Sequence, residues 1–372
     1  MKISVITYHR VYNYGAALQA YATEKALNNL GYEAELVDYI PKKVKNYGSV
    51  AQVFYESGLF SNNLVRRILS TIVKTPSYRK QRSVFDGFID KRITMTKPYY
   101  SEEELKSDLP QADVYCTGSD QVWNNTYVKE FDGVYFLSYA ENKPKIALSA
   151  SFGRKDFTKE ELGWMMPWLK KYTAISVREK SGLELLKDAD VPLKEHTLDP
   201  TLILRKEEWE KLISDVKHED YILVYQLHGS SKAEDYAVKI GKEKNLKVLR
   251  IVTMLHQKSG KSNPVVLPEV EEFLSLIYHA KYVVTDSFHG TAFSLNFNKN
   301  FIVCPPGKTG ERIQSVLELT NLTERIASSE EDAVSLSDKT IDFTKCNQVF
   351  DAERDKAKRY VENALNLCKG EY

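Results

Sequence analysis

Short apolar runs alternate with helical stretches along most of this chain. The apolar runs that predict strands cover 2–8, 33–40, 113–117, 145–151 and 173–177, and then 221–227, 246–253, 282–285 and 300–304. Helical patterns lie between them, and the first of these ends near Gly31, a residue typical of a helix C-terminus. Strands that alternate with helices in this way are typical of α/β proteins with parallel sheets.

The segment after the strand at 282–285 is the first candidate site. It reads Asp-Ser-Phe-His-Gly-Thr at 286–291 and leads into a helical run of small and apolar residues. Ligands of open α/β sheets bind at the carboxyl ends of strands, where a helix N-terminus directs free N–H groups at an anion. His289 is placed to transfer a proton there. The alternative, given equal weight, is a histidine that only caps a core helix.

A second polar segment, Gly-Ser-Asp-Gln-Val-Trp-Asn at 118–124, follows the strand at 113–117. Asp, Gln and Asn side chains beside an aromatic ring are typical of sugar sites, and Trp123 would supply the stacking surface. The alternative interpretation is a helix cap formed by Ser119 or Asp120.

Other candidates are weaker as single residues. Arg178 ends a predicted strand and could bind a carboxylate or phosphate, although a surface ion pair with a neighbouring acid is the better explanation of this residue taken alone. Asn13, Gly15 and Gln19 follow the first strand, where Gly15 need only permit a turn. The loop 305–312 carries cations without the spacing of a Walker loop.

Residues 42–97 differ in charge from the rest of the chain. They contain twelve Lys or Arg and three acidic residues, a local net charge of +9. Phe60, Leu64, Ile68 and Ile72 recur at helical spacing within this segment, and Arg66 is among the cations that flank them. A basic amphipathic helix can lie on an anionic membrane surface. The alternative is a helix that packs on the sheet with a solvated basic back.

Length and composition limit the remaining possibilities. A chain of 372 residues exceeds one ordinary core, so two domains are expected. A net charge of +1 gives no general affinity for nucleic acid, and four widely spaced cysteines argue against a zinc site. The first apolar run is too short for a signal peptide, and no stretch approaches the ~20 apolar residues of a membrane span. A cytoplasmic protein is expected, peripheral at the inner face of the membrane if the basic helix binds lipid.

The segments 118–124 and 286–291 together resemble the polysaccharide pyruvyl transferase family. Three shorter marks agree in type and order: Asn13-x-Gly15-x-x-x-Gln19, the Ser-Val-Arg-Glu at 176–179, and the Asp-Pro-Thr at 199–201. The resemblance implies a GT-B-like architecture, in which two Rossmann-like domains face each other across a cleft. We expect an acceptor-side domain at 1–200 with a basic helical insertion at 42–100, a donor-side domain at 201–345, and a C-terminal helix at 346–372 that packs back on both.

The resemblance also implies a reaction. A family member would use phosphoenolpyruvate to place a pyruvate ketal on a sugar of a surface polysaccharide or of its lipid-linked precursor. Protonation of the donor's methylene carbon makes C2 electrophilic, sugar hydroxyls add there, and phosphate leaves. These steps need an acid with a pKa near 7, cations that bind the donor, and a base for the sugar hydroxyls. They need no cofactor or metal.

Residue roles follow from the family motifs. The resemblance makes His289 the catalytic acid and Arg178 a donor ligand, and our reading of the 118–124 motif makes Asp120 the base or acceptor ligand. Some members have Arg where this chain has Ser287, and we expect Lys308 or Arg312 to replace that cation. The expected donor-binding residues are Arg178, Ser287, Gly290, Thr291, Lys308 and Arg312, and the expected acceptor-binding residues are Asn13, Gly15, Gln19, Ser119, Gln121, Trp123 and Asn124.

Two other functions remain open at this stage. The same fold would suit a glycosyltransferase that uses a nucleotide sugar, because fold alone does not fix chemistry. The basic helix would also suit a non-catalytic, membrane-surface binding module of a polysaccharide assembly pathway.

Overall fold

A computed structural model describes residues 1–124, 131–215, 220–229, 231–304 and 310–370, except the side chain of Phe60. Two parallel sheets with helices on their faces make up this part of the chain, as the alternating pattern predicts. The strands of the first sheet are β1 (Lys2–Ile6), β2 (Glu33–Tyr39), β3 (Met95–Tyr99), β4 (Val114–Thr117), β5 (Lys145–Ala150), β6 (Ala174–Val177) and β7 (Leu193–His196). Those of the second are β8 (Tyr221–Tyr225), β9 (Lys247–Val252), β10 (Asn263–Val266), β11 (Tyr282–Thr285) and β12 (Asn300–Val303).

The strand order gives each sheet one topological switch point. The orders are β3-β2-β1-β4-β5-β6-β7 and β10-β9-β8-β11-β12. The chain therefore reverses direction across the sheet between β1 and β4 in the first and between β8 and β11 in the second. Loops that leave a sheet on opposite faces open a crevice at such a point. Both polar segments that the sequence singles out, 118–124 and 286–291, follow strands that border these crevices.

Fifteen α-helices lie within the described residues, and the first shows how local sequence sets their ends. They are α1 (Tyr14–Asn29), α2 (Lys42–Lys45), α3 (Val50–Phe60), α4 (Leu64–Arg92), α5 (Glu102–Ser107), α6 (Lys159–Leu169), α7 (Lys180–Leu185), α8 (Pro200–Ile203), α9 (Lys206–Glu210), α10 (Ala233–Lys244), α11 (Val270–His279), α12 (Phe288–Asn296), α13 (Glu311–Leu319), α14 (Glu330–Asp338) and α15 (Phe343–Lys369). Asn13 caps α1 by accepting a hydrogen bond from the Ala16 N–H at 2.8 Å. Gly31, just past its end, has a φ of +87°, which a side chain would oppose.

Buried contacts join the two sheets into one molecule. The ring of Tyr14 on α1 stacks on Phe273 of α11 with 4.2 Å between centroids, and its hydroxyl donates to the carbonyl of Pro268 at 2.7 Å. The last helix, α15, returns to the first sheet, where the Tyr360 hydroxyl donates to the carbonyl of Ala147 at 2.7 Å. These contacts hold the first sheet's α1 directly against the second sheet's helices.

The basic segment departs from one of the two arrangements considered for it. Phe60 ends α3, whereas the other residues of the predicted stripe lie on α4. On α4, Leu64, Ile68 and Ile72 are 59%, 45% and 65% exposed, so this stripe does not pack on the sheet. The second half of α4 does pack, and it buries Phe85 and Phe88 in the core. None of the helices that the structure describes has both the length and the apolar character needed to span a bilayer.

Candidate active site

The N-termini of α1 and α12 meet between the two sheets, and His289 lies where they touch. Gly15 of α1 faces the imidazole so closely that a Cβ added there would overlap the ring and lie 2.9 Å from its Cγ. Gly290 permits a second close approach, because a Cβ there would lie 3.0 Å from the Cβ of Thr285 on β11. The two glycines thus fix His289 between α1 and the end of β11.

The His289 imidazole is buried and carries no hydrogen bond from any residue that the structure describes. Only 8% of the residue is exposed, and its Nε2 has no partner among them. Burial lowers the pKa of His289 to about 4; Asp199 and Asp120 oppose this shift, and Arg178 and Arg312 add to it. The imidazole is therefore neutral at pH 7 in the free protein. The reaction was expected to need an acid with a pKa near 7, and the pKa of His289 in the free protein is lower than that.

Arg178 is held rigidly by two buried carboxylates. Its Nη1 donates to Asp199 Oδ2 at 2.6 Å, and its Nε donates to Glu179 Oε1 at 3.2 Å. Asp199 is fixed in turn by the N–H and hydroxyl of Thr201, at 2.9 and 2.6 Å. Burial opposes the charged form of Arg178, but Glu179 and Asp199 outweigh it and raise the pKa of the guanidinium. Arg178 is thus a permanent, oriented cation and not a surface ion pair.

One edge of the Arg178 guanidinium remains available. Its Nη2 is buried without a hydrogen bond in the described part of the chain, and lies 3.9 Å from Asp120 Oδ1. Asp120 itself has a φ of +71°, unusual for a residue other than glycine, and accepts from the N–H of Gln121 at 2.8 Å. Backbone outside the favoured regions occurs often at functional sites. The Nη2 edge and the Asp120 carboxylate therefore face the same small space.

Arg312, at the start of α13, supplies a second cation. Its guanidinium carbon lies 5.7 Å from the centroid of the Phe288 ring, and that of Arg178 lies 5.4 Å from it. Among the residues described, no carboxylate lies within ion-pair distance of Arg312. Burial and the nearby Arg178 lower the pKa of Arg312, whereas Asp120, Glu179 and Asp199 oppose this shift from a greater distance than an ion pair. A pocket lined by Arg178, Asp199, Phe288 and Arg312 opens between the domains.

The other expected donor ligands have structural tasks. Ser287 caps α12 and accepts from the N–H of Gly290 at 3.4 Å, so that N–H is not free for an anion. The Thr291 hydroxyl donates to the carbonyl of Ser287 at 3.0 Å and is fully buried. These residues position His289, whereas the charge that could hold an anion comes from Arg178 and Arg312. Lys308 lies outside the described residues.

Several expected acceptor ligands are also committed to the fold. Asn13 caps α1, and the Gln19 amide is fully buried and donates to the carbonyls of Tyr8 and Ala16 at 2.8 and 3.2 Å. Trp123 is completely buried and donates from Nε1 to the carbonyl of Tyr135 at 3.1 Å. Its ring has no free face for a sugar, so the expected stacking is corrected to a core role behind the 118–124 loop.

The remaining acceptor candidates lie on the surface of that loop or just beneath it. Gln121 is partly exposed and accepts from the Asn124 amide at 2.9 Å, and both pack over Gly153. Ser119 is fully buried, and its Oγ has no partner in the described part of the chain. Gln121, Asn124 and Ser119 thus surround Asp120 on the loop 118–124, and Asp120 is close enough to His289 for its charge to act on the imidazole.

Comparison with known sequences decides the family. The profile of the polysaccharide pyruvyl transferase family matches residues 13–307. The chain belongs to this family. Membership identifies it as a transferase of polysaccharide biosynthesis, and the match spans both sheets and both polar segments. A search of proteins of curated function finds no match.

Solved structures show that the transferase shares its fold with sugar-nucleotide enzymes. MnaA of S. aureus, in a co-structure with UDP, matches with a TM-score of 0.54 and 13% identity, over 100% of this chain and 97% of that one. A UDP-N-acetylglucosamine 2-epimerase matches with 0.52 and 14%, over 100% and 97%. The UDP-GlcNAc 2-epimerase of Methanocaldococcus jannaschii matches with 0.50 and 12%, over 92% and 93%. This likeness confirms the GT-B-like pair of Rossmann-like domains and, at such low identity, shows the fold alone.

Three site residues of this transferase escaped sequence reasoning. Asp199 and Glu179 form ion pairs with Arg178. The ring of Phe288 lies close to the guanidinium groups of both Arg178 and Arg312. The Asp-Pro-Thr at 199–201 was noted as a family mark, but only the fold brings Asp199 to Arg178, 21 residues earlier. The position of Phe288 next to His289 was the one local signal for its role.

In the free transferase, His289 should titrate near pH 4, well below an ordinary histidine. Its lowered pKa means that the neutral form is favoured on folding, so this residue costs stability as the pH falls from about 6.5 towards 4. An anion bound beside Arg178 and Arg312 adds negative charge and should raise the pKa again. NMR titration of the histidine signals, with and without inorganic phosphate, measures both values, and His289→Ala assigns the signal. A free-state value near 6.5 would contradict this account.

Proposed function

We propose that this transferase moves the pyruvate unit of phosphoenolpyruvate onto a sugar of a surface polysaccharide, or of its lipid-linked precursor, as a ketal. The observation that carries the proposal is the grouping of charge around His289. Among the described residues, Arg178 Nη2 has no hydrogen bond and Arg312 has no carboxylate within ion-pair distance. Both cations act on the nearby buried imidazole of His289, whose Nε2 has no partner among those residues. Such a site suits a small polyanion that must receive a proton.

The donor fits this grouping by its chemistry. Phosphoenolpyruvate carries a carboxylate and a phosphate, and the two guanidinium groups near the Phe288 ring can hold both. Its negative charge would raise the pKa of His289, so that the imidazole takes up a proton together with the donor. The imidazole is thus neutral while the site is empty and becomes an acid when the donor is present. Because proton uptake by His289 would accompany donor binding, the free enzyme would not hold a buried, uncompensated charge on the imidazole.

The steps can be assigned to residues of the site. His289 gives its proton to the methylene carbon, and Arg178 and Arg312 stabilise the carboxylate and the departing phosphate. Asp120, 3.9 Å from Arg178 Nη2, receives a proton from the sugar hydroxyl that adds to C2. A second hydroxyl of the same sugar displaces phosphate and closes the ketal, and its proton leaves with the phosphate. The proton taken up by Asp120 is released and restores the one that His289 gave. One diol and one phosphoenolpyruvate thus give one ketal and one inorganic phosphate, and as written the steps require no metal or redox cofactor.

The direct test is turnover with defined substrates. The purified protein is incubated with phosphoenolpyruvate and a panel of synthetic and lipid-linked glycosides, and pyruvylated product and released phosphate are measured in equal amounts. Nucleotide sugars are supplied in parallel, because the fold is shared with proteins of sugar-nucleotide chemistry. Glycosyl transfer from a nucleotide sugar, with no ketal from phosphoenolpyruvate, would overturn the proposal.

Replacement of Arg312 by Ala should raise the donor KM about 10- to 100-fold and leave the acceptor KM unchanged. The loss corresponds to about 1.5–3 kcal/mol for a hydrogen bond to a charged group. Arg312 has no carboxylate partner in the described structure, so its removal leaves no buried charge unpaired and the fold should be retained. Saturation curves for donor and acceptor separate the two effects.

Arg312→Lys is the matched control, because it keeps the charge but loses the planar fork, and an intermediate donor KM is expected. Arg178 is less suitable for this test. Its removal would leave Asp199 and Glu179 buried without a counterion, which typically costs about 3–5 kcal/mol of stability. An unchanged donor KM in Arg312→Ala would remove Arg312 from the donor site.

A further inference from the structure

The hairpin formed by α3 and the first half of α4, residues 50–76, presents an apolar face to solvent. Six apolar side chains of α4 are between 45% and 65% exposed: Leu64, Val65, Ile68, Leu69, Ile72 and Val73. Tyr55 and Leu59 of α3 are 67% and 66% exposed. Single exposed apolar residues are ordinary, but a contiguous set of this size marks an interaction surface.

The exposed face is not the face that holds the hairpin together. At 100° per residue, the six apolar residues of α4 fall within one half of the helix. The other half contacts α3: the guanidinium of Arg67 stacks at 4.1 Å on the ring of Phe54, and the Ser57 and Ser70 hydroxyls lie 3.2 Å apart. The outward apolar face therefore has no task in the packing of the hairpin itself.

Charge decides what covers this face. Residues 42–97 carry a net charge of +9, and Arg66 and Arg79, both exposed, project near or within the apolar half of α4. A second copy of the chain would bring two such segments together, and their charges would repel. An anionic surface is attracted by the same charges, and a bilayer accepts the apolar side chains at its boundary. We infer that the outward face of the α3–α4 hairpin binds the surface of an anionic lipid bilayer.

The second half of α4, beyond the hairpin, is tied to the loop after β1. Arg10, in the loop after β1, donates to Asp38, Asp86 and Asp90, and the last two lie on α4. Tyr12 in the same loop packs on Tyr47, with 4.2 Å between ring centroids. A bilayer against the hairpin would thus contact the same helix that binds the loop after β1, and a lipid-linked acceptor could reach the site from that bilayer. That last step rests on the proposed function, but membrane binding does not.

Vesicle sedimentation tests the inference with the full chain. Wild-type protein should bind vesicles that contain phosphatidylglycerol, bind pure phosphatidylcholine vesicles far less, and be released as salt is raised. The double variant Arg66→Glu with Arg79→Glu should bind at least about 25-fold more weakly, since each cation near an anionic surface contributes about fivefold. Ile68→Ser with Ile72→Ser should also lose binding while thermal unfolding is unchanged, because both side chains are exposed.

The matched control is Lys242→Glu with Lys339→Glu, an equal reversal of charge at exposed positions of the second domain. It should bind anionic vesicles like wild type. Wild-type protein that stays in the supernatant at low salt overturns the inference, as does a control that loses binding as strongly as the hairpin variant. Analytical ultracentrifugation tests whether a second copy of the chain binds this face instead. If the wild type is a dimer and the variant Ile68→Ser with Ile72→Ser is a monomer, the face belongs to a dimer interface. Turnover of a lipid-free glycoside is measured separately, so failure of membrane binding and failure of the proposed chemistry remain distinct.

Discussion

Replacement of His289 by Ala should lower turnover by about 10²–10⁴-fold, the usual loss when a positioned proton donor is removed. No other side chain described in the site is expected to take over this role, because the proposed mechanism uses Asp120 as the base for the sugar hydroxyl and the guanidinium groups hold their protons. The effect should appear in the rate at saturating donor, since Arg178 and Arg312 still bind it. The donor KM is therefore expected to change much less than the turnover rate.

The same variant should remain folded, for a structural reason. The imidazole makes no hydrogen bond with any described residue, so its removal leaves no buried partner unsatisfied. Thermal unfolding, donor binding by calorimetry and initial rates together test this expectation. His256→Ala serves as the control, because His256 is exposed and far along the chain from the site motifs. A folded His289→Ala protein with nearly wild-type turnover would contradict the assignment.

The sequence predicts most of the fold because buried parallel strands leave a strong pattern. All nine predicted strands occur, with ends that differ by a few residues, since each has an apolar core that both faces of the sheet require. Three further strands, β3, β7 and β10, were missed. Each lies at a sheet edge and is polar or contains proline, as in Asn-Pro-Val-Val at Asn263–Val266. An edge strand has one neighbour and tolerates such residues, so the apolar signal disappears.

The sequence predicts where the candidate site lies but not which of its residues can bind a ligand, because that depends on hydrogen bonds formed in the folded chain. The sequence locates the segments 118–124 and 286–291, because polar residues after an apolar strand are visible without a structure. It does not show which polar atoms remain free once the chain has folded. Gln19, Trp123 and Thr291 use their polar groups within the fold. Arg178 Nη2 has no hydrogen bond in the described structure, because two carboxylates accept from the other nitrogens and the third, Asp120, lies 3.9 Å away.

The basic hairpin shows a similar limit. Helical spacing of apolar residues predicts an amphipathic helix whether its apolar face packs on a sheet or faces outward. The two cases differ only in what lies opposite the helix, which depends on the course of distant parts of the chain. The structure distinguishes them, because α4 packs with its second half and leaves the apolar face of its first half exposed.

Replacement of Gly15 by Ala should reduce turnover by about 10²-fold or more in a protein that still folds, because 1 Å of displacement at a catalytic group can cost that much. A Cβ at this position would overlap the His289 ring, so either the ring or the start of α1 must move. Gly15 lies in the first turn of α1, where alanine is a better helix former than glycine, by up to about 1 kcal/mol. A large loss of turnover in a Gly15→Ala protein that remains folded in thermal unfolding would therefore indicate that the imidazole has been displaced.

A matched substitution and a double-mutant cycle separate this effect from a general one. Gly87→Ala adds the same methyl group to α4 at a position with open space around it, and it should leave turnover unchanged. In a His289→Ala background, Gly15→Ala should lower the rate little further, since the group it displaces is already absent. Independent, additive losses in the double variant would mean that Gly15 acts on some other part of the site. Additive losses would also mean that the close approach of α1 to α12 is not the reason for a glycine at position 15.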